Sequence, residues 1–250
     1  LGGMLRYGIP AYRFPREILD REIEGLKLAG FETKTDISIG RDISVAELRS
    51  QYDAMYVAIG AHTDRKIGIE GEDAEGVISA VEMLRAIGDD YYPDFTGMDI
   101  VVVGGGNVAM DVARSAIRCH AKSVKVAYRR RKQDMTALAE EVEGAIADGV
   151  EIVELNAPVR IEKDAQNRCT GLIVKPQIPG AVKGGRPSPK NSAKDEVLLP
   201  ADRVLVAIGQ GIESGKFGEF GIPVQQGRIS AFDTSDIADN EGIFAGGDCV

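Results

Sequence analysis

The chain has three cysteines in 250 residues, Cys119, Cys169 and Cys249, and no two of them form a C-x-x-C pair. That absence excludes the dithiol centre of a disulfide reductase from the residues shown, and with it a disulfide framework or a zinc site. The three read as free thiols, buried or incidental. No apolar run approaches the roughly 18 residues of a membrane helix. Positive charge is in deficit: 30 Lys and Arg face 39 Asp and Glu, a formal net charge of −9. A general nucleic-acid surface is therefore not expected. Histidine is scarce too, and His62 and His120 read as surface or turn residues; no Ser/His/Asp set and no paired acids stand out. What the chain does have is 44% hydrophobic residues, enough for a substantial core. It begins at Leu1 and stops at Val250, just after a Gly-Gly-Asp, and reads as a fragment of a longer polypeptide, so the absence of a signal peptide carries no information.

The richest segment is 99–114, Asp-Ile-Val-Val-Val-Gly-Gly-Gly-Asn-Val-Ala-Met-Asp-Val-Ala-Arg. Residues 100–103 are a short β-branched run, suited to a parallel strand buried on both faces. Gly104, Gly106 and Ala109, with Gly105 between the glycines, fit G-x-G-x-x-A. The first glycine allows a tight turn, the second lets a pyrophosphate approach the backbone, and a small third residue lets helix and strand pack closely. The helix start at Asn107 and Val108 offers unpaired N–H groups to phosphate. A second strand, 124–128, ends 22 residues after Gly106 and is followed by Arg129, Arg130 and Arg131. An NAD-specific site would carry an acid there to hold the ribose 2′-hydroxyl. Guanidiniums instead form charge-assisted bonds to a 2′-phosphate. Each contributes roughly 1.5–3 kcal/mol, so two favour NADPH over NADH by on the order of a hundredfold. The alternatives are a βαβ turn without ligand and a solvated basic turn.

Elsewhere the pattern predicts a helix over 15–30 with Ile18, Leu19, Ile23, Leu26 and Leu28 on its apolar side. It then predicts a strand over 31–39, a helix from Ser44 with a capping box to Glu47, and a buried strand over 52–60. A polar connection over 63–76, a helix over 79–87, a helix over 135–149 and strands over 151–155 and 159–163 follow, the last turning into an antiparallel strand over 169–175. Residues 176–195, with four Pro, three Gly and three Lys, read as a long mobile surface loop; a basic ligand patch is the alternative. Residues 202–209 echo 52–60: both end in Ala-Ile-Gly, at Gly209 and Gly60. Each glycine is either a turn residue or a cofactor neighbour. Asp111 and Arg114, three apart, suggest a helix-surface ion pair.

Taken together, Gly2-Gly-Met-Leu-Arg-Tyr-Gly-Ile-Pro10, residues 19–23, Val103 to Arg114, Tyr128-Arg-Arg130 and Phe244-Ala-Gly-Gly-Asp248 resemble the small (β) subunit of NADPH-dependent glutamate synthase and its flavoprotein relatives. The resemblance implies an α/β, glutathione-reductase-like fold with two dinucleotide-binding domains. A complete NADPH Rossmann-like domain, 73–210, would be inserted in an incomplete FAD domain made of 1–72 and 211–250. It implies a cytoplasmic oxidoreductase that takes hydride from NADPH to FAD. Electrons would pass on to iron–sulfur centres or to a partner such as a large amidotransferase subunit. Asp248 would accept hydrogen bonds from FAD hydroxyls, with Gly247 leaving room for close approach. The family's first FAD fingerprint and its cysteine-rich cluster region would lie upstream of Gly2, so these 250 residues alone are expected to bind FAD poorly and to act as an NADP(H)-binding module.

Overall fold

The computed structural model describes residues 1–250, and only the side chain of Lys183 lies outside the description. The chain divides into two units: Gly2–Leu19 with Asp64–Gly209, and Leu1 and Asp20–Thr63 with Gln210–Val250. The first expected boundary, at 72/73, is thus displaced, and the N-terminal segment changes sides. The reason is packing. Ile67 and Ile69 lie against the apolar cluster around Leu172 and Val174, and the Ile161 amide donates to the Glu70 carbonyl at 2.8 Å. Near the N-terminus, the short helix Met4–Tyr7 lies so close to Gly88 that a Cβ there would sit 2.7 Å from the Arg6 carbonyl.

In the larger unit, Asp99–Val103 is the middle strand of a five-stranded parallel sheet. The order is Val77–Ser79, Arg203–Val206, Asp99–Val103, Ser123–Tyr128, Glu151–Glu154. Alternate residues of the central strands feed two cores. Ile100, Val102, Val124, Val126 and Leu205 pack with the helices Ala80–Gly88, Asn107–Arg118 and Ala139–Ala147. Val101, Val103, Ala127 and Val204 pack instead with Ile161, Leu172, Val174 and Leu199 of an antiparallel sheet on the opposite face. A strand covered on both sides has no polar face to show, which is why residues 100–103 read as an unbroken apolar run. The helix expected over 135–149 is confined to Ala139–Ala147.

The antiparallel sheet contains the main correction to the sequence reading. Residues 176–195 are not a structureless loop: Cys169–Lys183 continues past the expected strand end and pairs with Arg186–Asn191. The two-residue turn, Gly184-Gly185, has φ of 56° and 76°, the doubly positive pattern of hairpin turns whose twist matches the flanking strands. Pro187 and Pro189 are tolerated because Arg186–Asn191 pairs on one side only, and an edge strand can spare a backbone donor.

The second unit is thinner. Its core gathers Val57, Ile222, Ile229, Ile237, Ile243, Ala245 and Cys249. Met55–Val57 pairs in parallel with Ile243–Ala245 in a two-stranded sheet. The strand predicted over 52–60 is therefore short, and Tyr56 in its middle is 58% exposed. Residues 31–39 form no strand: Phe31 and Ile37 are exposed and only Ile39 makes an isolated bridge, to Ile43. The helix Arg16–Leu28 forms, but of its proposed apolar side only Leu19 is buried, and Leu28 is among the exposed residues. Ser44 does close a capping box with Glu47 at the head of Val45–Gln51.

Candidate functional site

The glycine turn leaves the carboxyl end of Asp99–Val103 and opens the helix Asn107–Arg118. Its three glycines are there for different reasons. Gly104 has φ of 152°, and a Cβ on it would collide with the Ala207 carbonyl and come 3.2 Å from the Ala109 methyl. Ala109 is fully buried, so both positions must stay small. A Cβ on Gly105 would run into the Tyr128 ring, and the Gly105 carbonyl accepts from the amides of Thr136 (3.0 Å) and Ala137 (3.1 Å). Gly106 is different. Its φ of −100° and ψ of 178° suit any residue, and a Cβ would meet nothing closer than Thr136 Oγ1 at 3.5 Å. Neither backbone nor packing requires glycine there. The open space faces the helix start, where the amides of Asn107 and Val108 have no partner among the described residues. The Asn107 side chain is engaged elsewhere, accepting from the Leu138 amide at 2.9 Å.

These residues line a cleft of about 480 Å³ at the carboxyl ends of three strands, with Tyr128, Arg129, Arg130, Thr136, Arg186 and Ala207–Gly209 on its walls. That is where open α/β sheets place their ligands. The three consecutive arginines do not behave alike. Arg131 forms a two-pronged pair with Asp134, Nε to Oδ2 at 2.8 Å and NH2 to Oδ1 at 3.0 Å, and those bonds hold the Asp134 carboxyl below its ordinary value. Arg130 donates from Nε to the Pro187 carbonyl at 2.9 Å. Arg129 is exposed. Gly209, with φ of 118°, lies on the cleft wall beside Arg65, whose Cδ is 3.9 Å from where a Cβ would sit.

Gly60, Gly247 and Asp248 belong to the other unit. Gly60 turns with φ of 65° beside His62. Gly247, with φ of 78° and open space around it, borders a depression of about 570 Å³ shared with Tyr56, Arg228 and Val250. Gly246 has a purely local reason to be glycine, since a Cβ would strike the Tyr56 hydroxyl. Asp248 is exposed.

Behind the cleft, the helix Asn107–Arg118 is held by a charge network that the sequence reading misassigned. Asp111 is buried at 3% exposure and does not pair with Arg114; Arg13 grips it with one nitrogen at 2.8 and 2.9 Å. Burial nevertheless pushes the Asp111 carboxyl up, against the pull of Arg13. Arg114 turns instead to Asp148 (2.8 Å) and Glu141 (3.0 Å), and Tyr12 stacks under Arg114 and Arg118. Burial would raise Asp148, but hydrogen bonds from Arg114 and Arg118 outweigh it and lower the carboxyl. Arg186, Thr136 and Pro158 are cleft residues that sequence reasoning missed; the signal for Arg186 was the Gly-Gly pair before it. All three cysteines are free and buried. Among the described residues no group of side chains could hold a metal ion, and no helix is long and apolar enough to cross a membrane.

The parallel sheet and its strand–glycine turn–helix unit define an α/β, Rossmann-like protein. Residues 4–250 match the pyridine nucleotide-disulphide oxidoreductase family, and the chain belongs to it. It is 38% identical over 252 residues to the NADP(+)-dependent formate dehydrogenase subunit beta of Moorella thermoacetica, covering 100% of this chain and 36% of that one. It is 34% identical over 266 residues to the glutamate synthase [NADPH] small chain of Escherichia coli, covering 100% of this chain and 56% of that one. The chain thus spans about a third to just over half of these relatives. Among solved structures, Mycobacterium tuberculosis FprA in complex with NADPH matches with a TM-score of 0.76 at 19% identity, over 98% of this chain and 69% of that one. That likeness shows the fold.

Proposed function

We propose that the larger unit binds NADPH in the cleft at Gly104–Val108. The chain would then be the pyridine-nucleotide part of a flavin oxidoreductase whose electrons leave through FAD to an iron–sulfur acceptor. The observation that carries the cofactor reading is Gly106, a glycine demanded by neither backbone nor neighbours, at the point where a pyrophosphate would approach the free amides of Asn107 and Val108. Arg129 and Arg130 at the end of Ser123–Tyr128 would take the 2′-phosphate. In the second unit, Asp248 would accept hydroxyl hydrogen bonds from FAD, and Gly247 lets the backbone come close. FAD, when bound, supplies the conversion of a two-electron donor into single electrons; the chain's task is to orient the two cofactors and exclude water.

The two relatives carry names that tie them to different reactions, formate dehydrogenation with NADP(+) and glutamate synthesis with NADPH. We read the acceptor as a property of the partner, of which a large amidotransferase subunit is one case. Arg129→Ala combined with Arg130→Ala tests the reading. NADPH binding should weaken on the order of a hundredfold and NADH binding only slightly, by titration of intrinsic fluorescence or heat. Equal weakening of both nucleotides would refute the 2′-phosphate role. A second reading, an NADP(H)-binding module without activity of its own, is favoured by one fact: every cleft residue lies within Asp64–Gly209. NADPH-dependent reduction of a dye acceptor with and without added FAD separates the two.

A further inference from the structure

Three arginines line the cleft, Arg129, Arg130 and Arg186, and no Asp or Glu does. In a chain with a formal net charge of −9, three like charges gathered with no carboxylate paired to them favour an anion that joins them; Asp134 acts on Arg130 electrostatically but is itself gripped by Arg131. Their neighbour Arg131 shows the contrast, since Asp134 neutralises it at 2.8 Å. Among the described residues, none of the three has a carboxylate within ion-pair distance.

Arg186 arrives there from far along the chain, and the hairpin fixes it. It is the first residue after the Gly184-Gly185 turn, in register with the Lys183 backbone. The next residue, Pro187, accepts the 2.9 Å bond from Arg130 Nε. That bond ties the hairpin to the end of Ser123–Tyr128 and uses one of five guanidinium donors, leaving four on Arg130.

We propose that Arg186 is a specificity-determining residue, which binds the 2′-phosphate of NADPH together with Arg129 and Arg130. The hairpin, and not the strand end alone, then reads the cofactor. A phosphate monoester carries about −1.5 to −2 charges at neutral pH, which three guanidiniums match better than two. The inference rests on the NADPH reading above.

The test uses the full-length protein with Arg186→Ala and Arg186→Lys, and four probes: NADPH, NADH, 2′,5′-ADP and 5′-AMP. For Arg186→Ala, Kd for NADPH and 2′,5′-ADP should rise about tenfold, the worth of one charge-assisted bond, and Kd for NADH and 5′-AMP less than about twofold. Arg186→Lys should fall between, since it keeps the charge without the fork, and it serves alone if the alanine variant fails to fold. Unchanged 2′,5′-ADP binding, or equal loss for NADPH and NADH, overturns the proposal. Should the Arg129/Arg130 variant lose discrimination while the Arg186 variants keep it in full, the hairpin inference fails and the NADPH reading stands. A wild-type protein that binds 2′,5′-ADP no better than 5′-AMP sinks the reading itself.

Discussion

Val204-Leu-Val-Ala-Ile-Gly209 and Met55-Tyr-Val-Ala-Ile-Gly60 are near repeats in sequence and very unlike in their surroundings. Arg203–Val206 lies between two parallel neighbours, with Val204 and Leu205 fully buried toward opposite cores. Met55–Val57 has one partner, Ile243–Ala245, and its central Tyr56 is 58% exposed. An apolar run says that a strand will form; how many layers cover it is decided by elements far away in the chain. The informative difference is the middle residue, Leu205 against Tyr56. A tyrosine carries a hydroxyl that wants a partner or water, so a strand open on one face tolerates it, whereas a doubly covered one accepts it only where a partner is at hand, as at the strand end where Tyr128 donates to the Asp134 carbonyl at 2.8 Å.

The largest expected effect follows directly. Leu205→Ala should destabilise the larger unit by about 2–5 kcal/mol, because it empties a fully packed site. Tyr56→Ala should change stability by roughly 0.5 kcal/mol or less, as exposed substitutions do. Urea unfolding followed by circular dichroism measures both, and similar losses for the two variants would erase the distinction between the strands.

The same contrast can be taken down to one turn. Gly104→Ala introduces a side chain at φ of 152° against the Ala207 carbonyl, and should cost about 2 kcal/mol or more in stability. Gly106→Ala has a permitted backbone and room beside Thr136, so it should leave the unfolding midpoint nearly unchanged while weakening NADPH about tenfold or more, since its methyl would occupy the phosphate approach. If Gly106→Ala binds NADPH as well as the wild type, the open space at Gly106 is not the phosphate site.

How much of this was legible in the sequence follows from the range of the interactions. The turn at 104–109 and the strands on either side of it were readable because strand, glycine and helix start are contiguous, and each residue's requirement is local. The capping box at Ser44 and Glu47 was readable for the same reason. The Arg186–Asn191 strand was not, because Pro187 and Pro189 mask a pairing that only an edge position permits. Phe31–Ile37 shows the opposite error: the residue types suit a strand, but no partner strand exists there to hydrogen-bond it. The Arg13–Asp111 pair spans 98 residues, and no helical spacing rule could have found it in place of the Asp111–Arg114 pair that i,i+3 suggests.

The last effect concerns charge, and again separates the units. Arg41–Asp42 in the thinner unit is an exposed pair of adjacent residues, of the kind that contributes little. Asp148 instead joins two arginines at 2.7 and 2.8 Å, and Arg114 is only 17% exposed. Asp148→Asn should therefore cost about 1 kcal/mol at pH 7. The sign of its pH dependence is fixed by the direction of the shift. A carboxyl held below its ordinary value contributes fully above the unfolded value, about pH 4, and loses that contribution as pH falls through the depressed one. Wild type and variant should thus differ by a constant amount from pH 5 to 7 and converge well below pH 4. Urea midpoints at pH 7, 5 and 3 would show it; a gap that widens in acid would mean that Asp148 does not hold the two arginines as an ionised carboxylate.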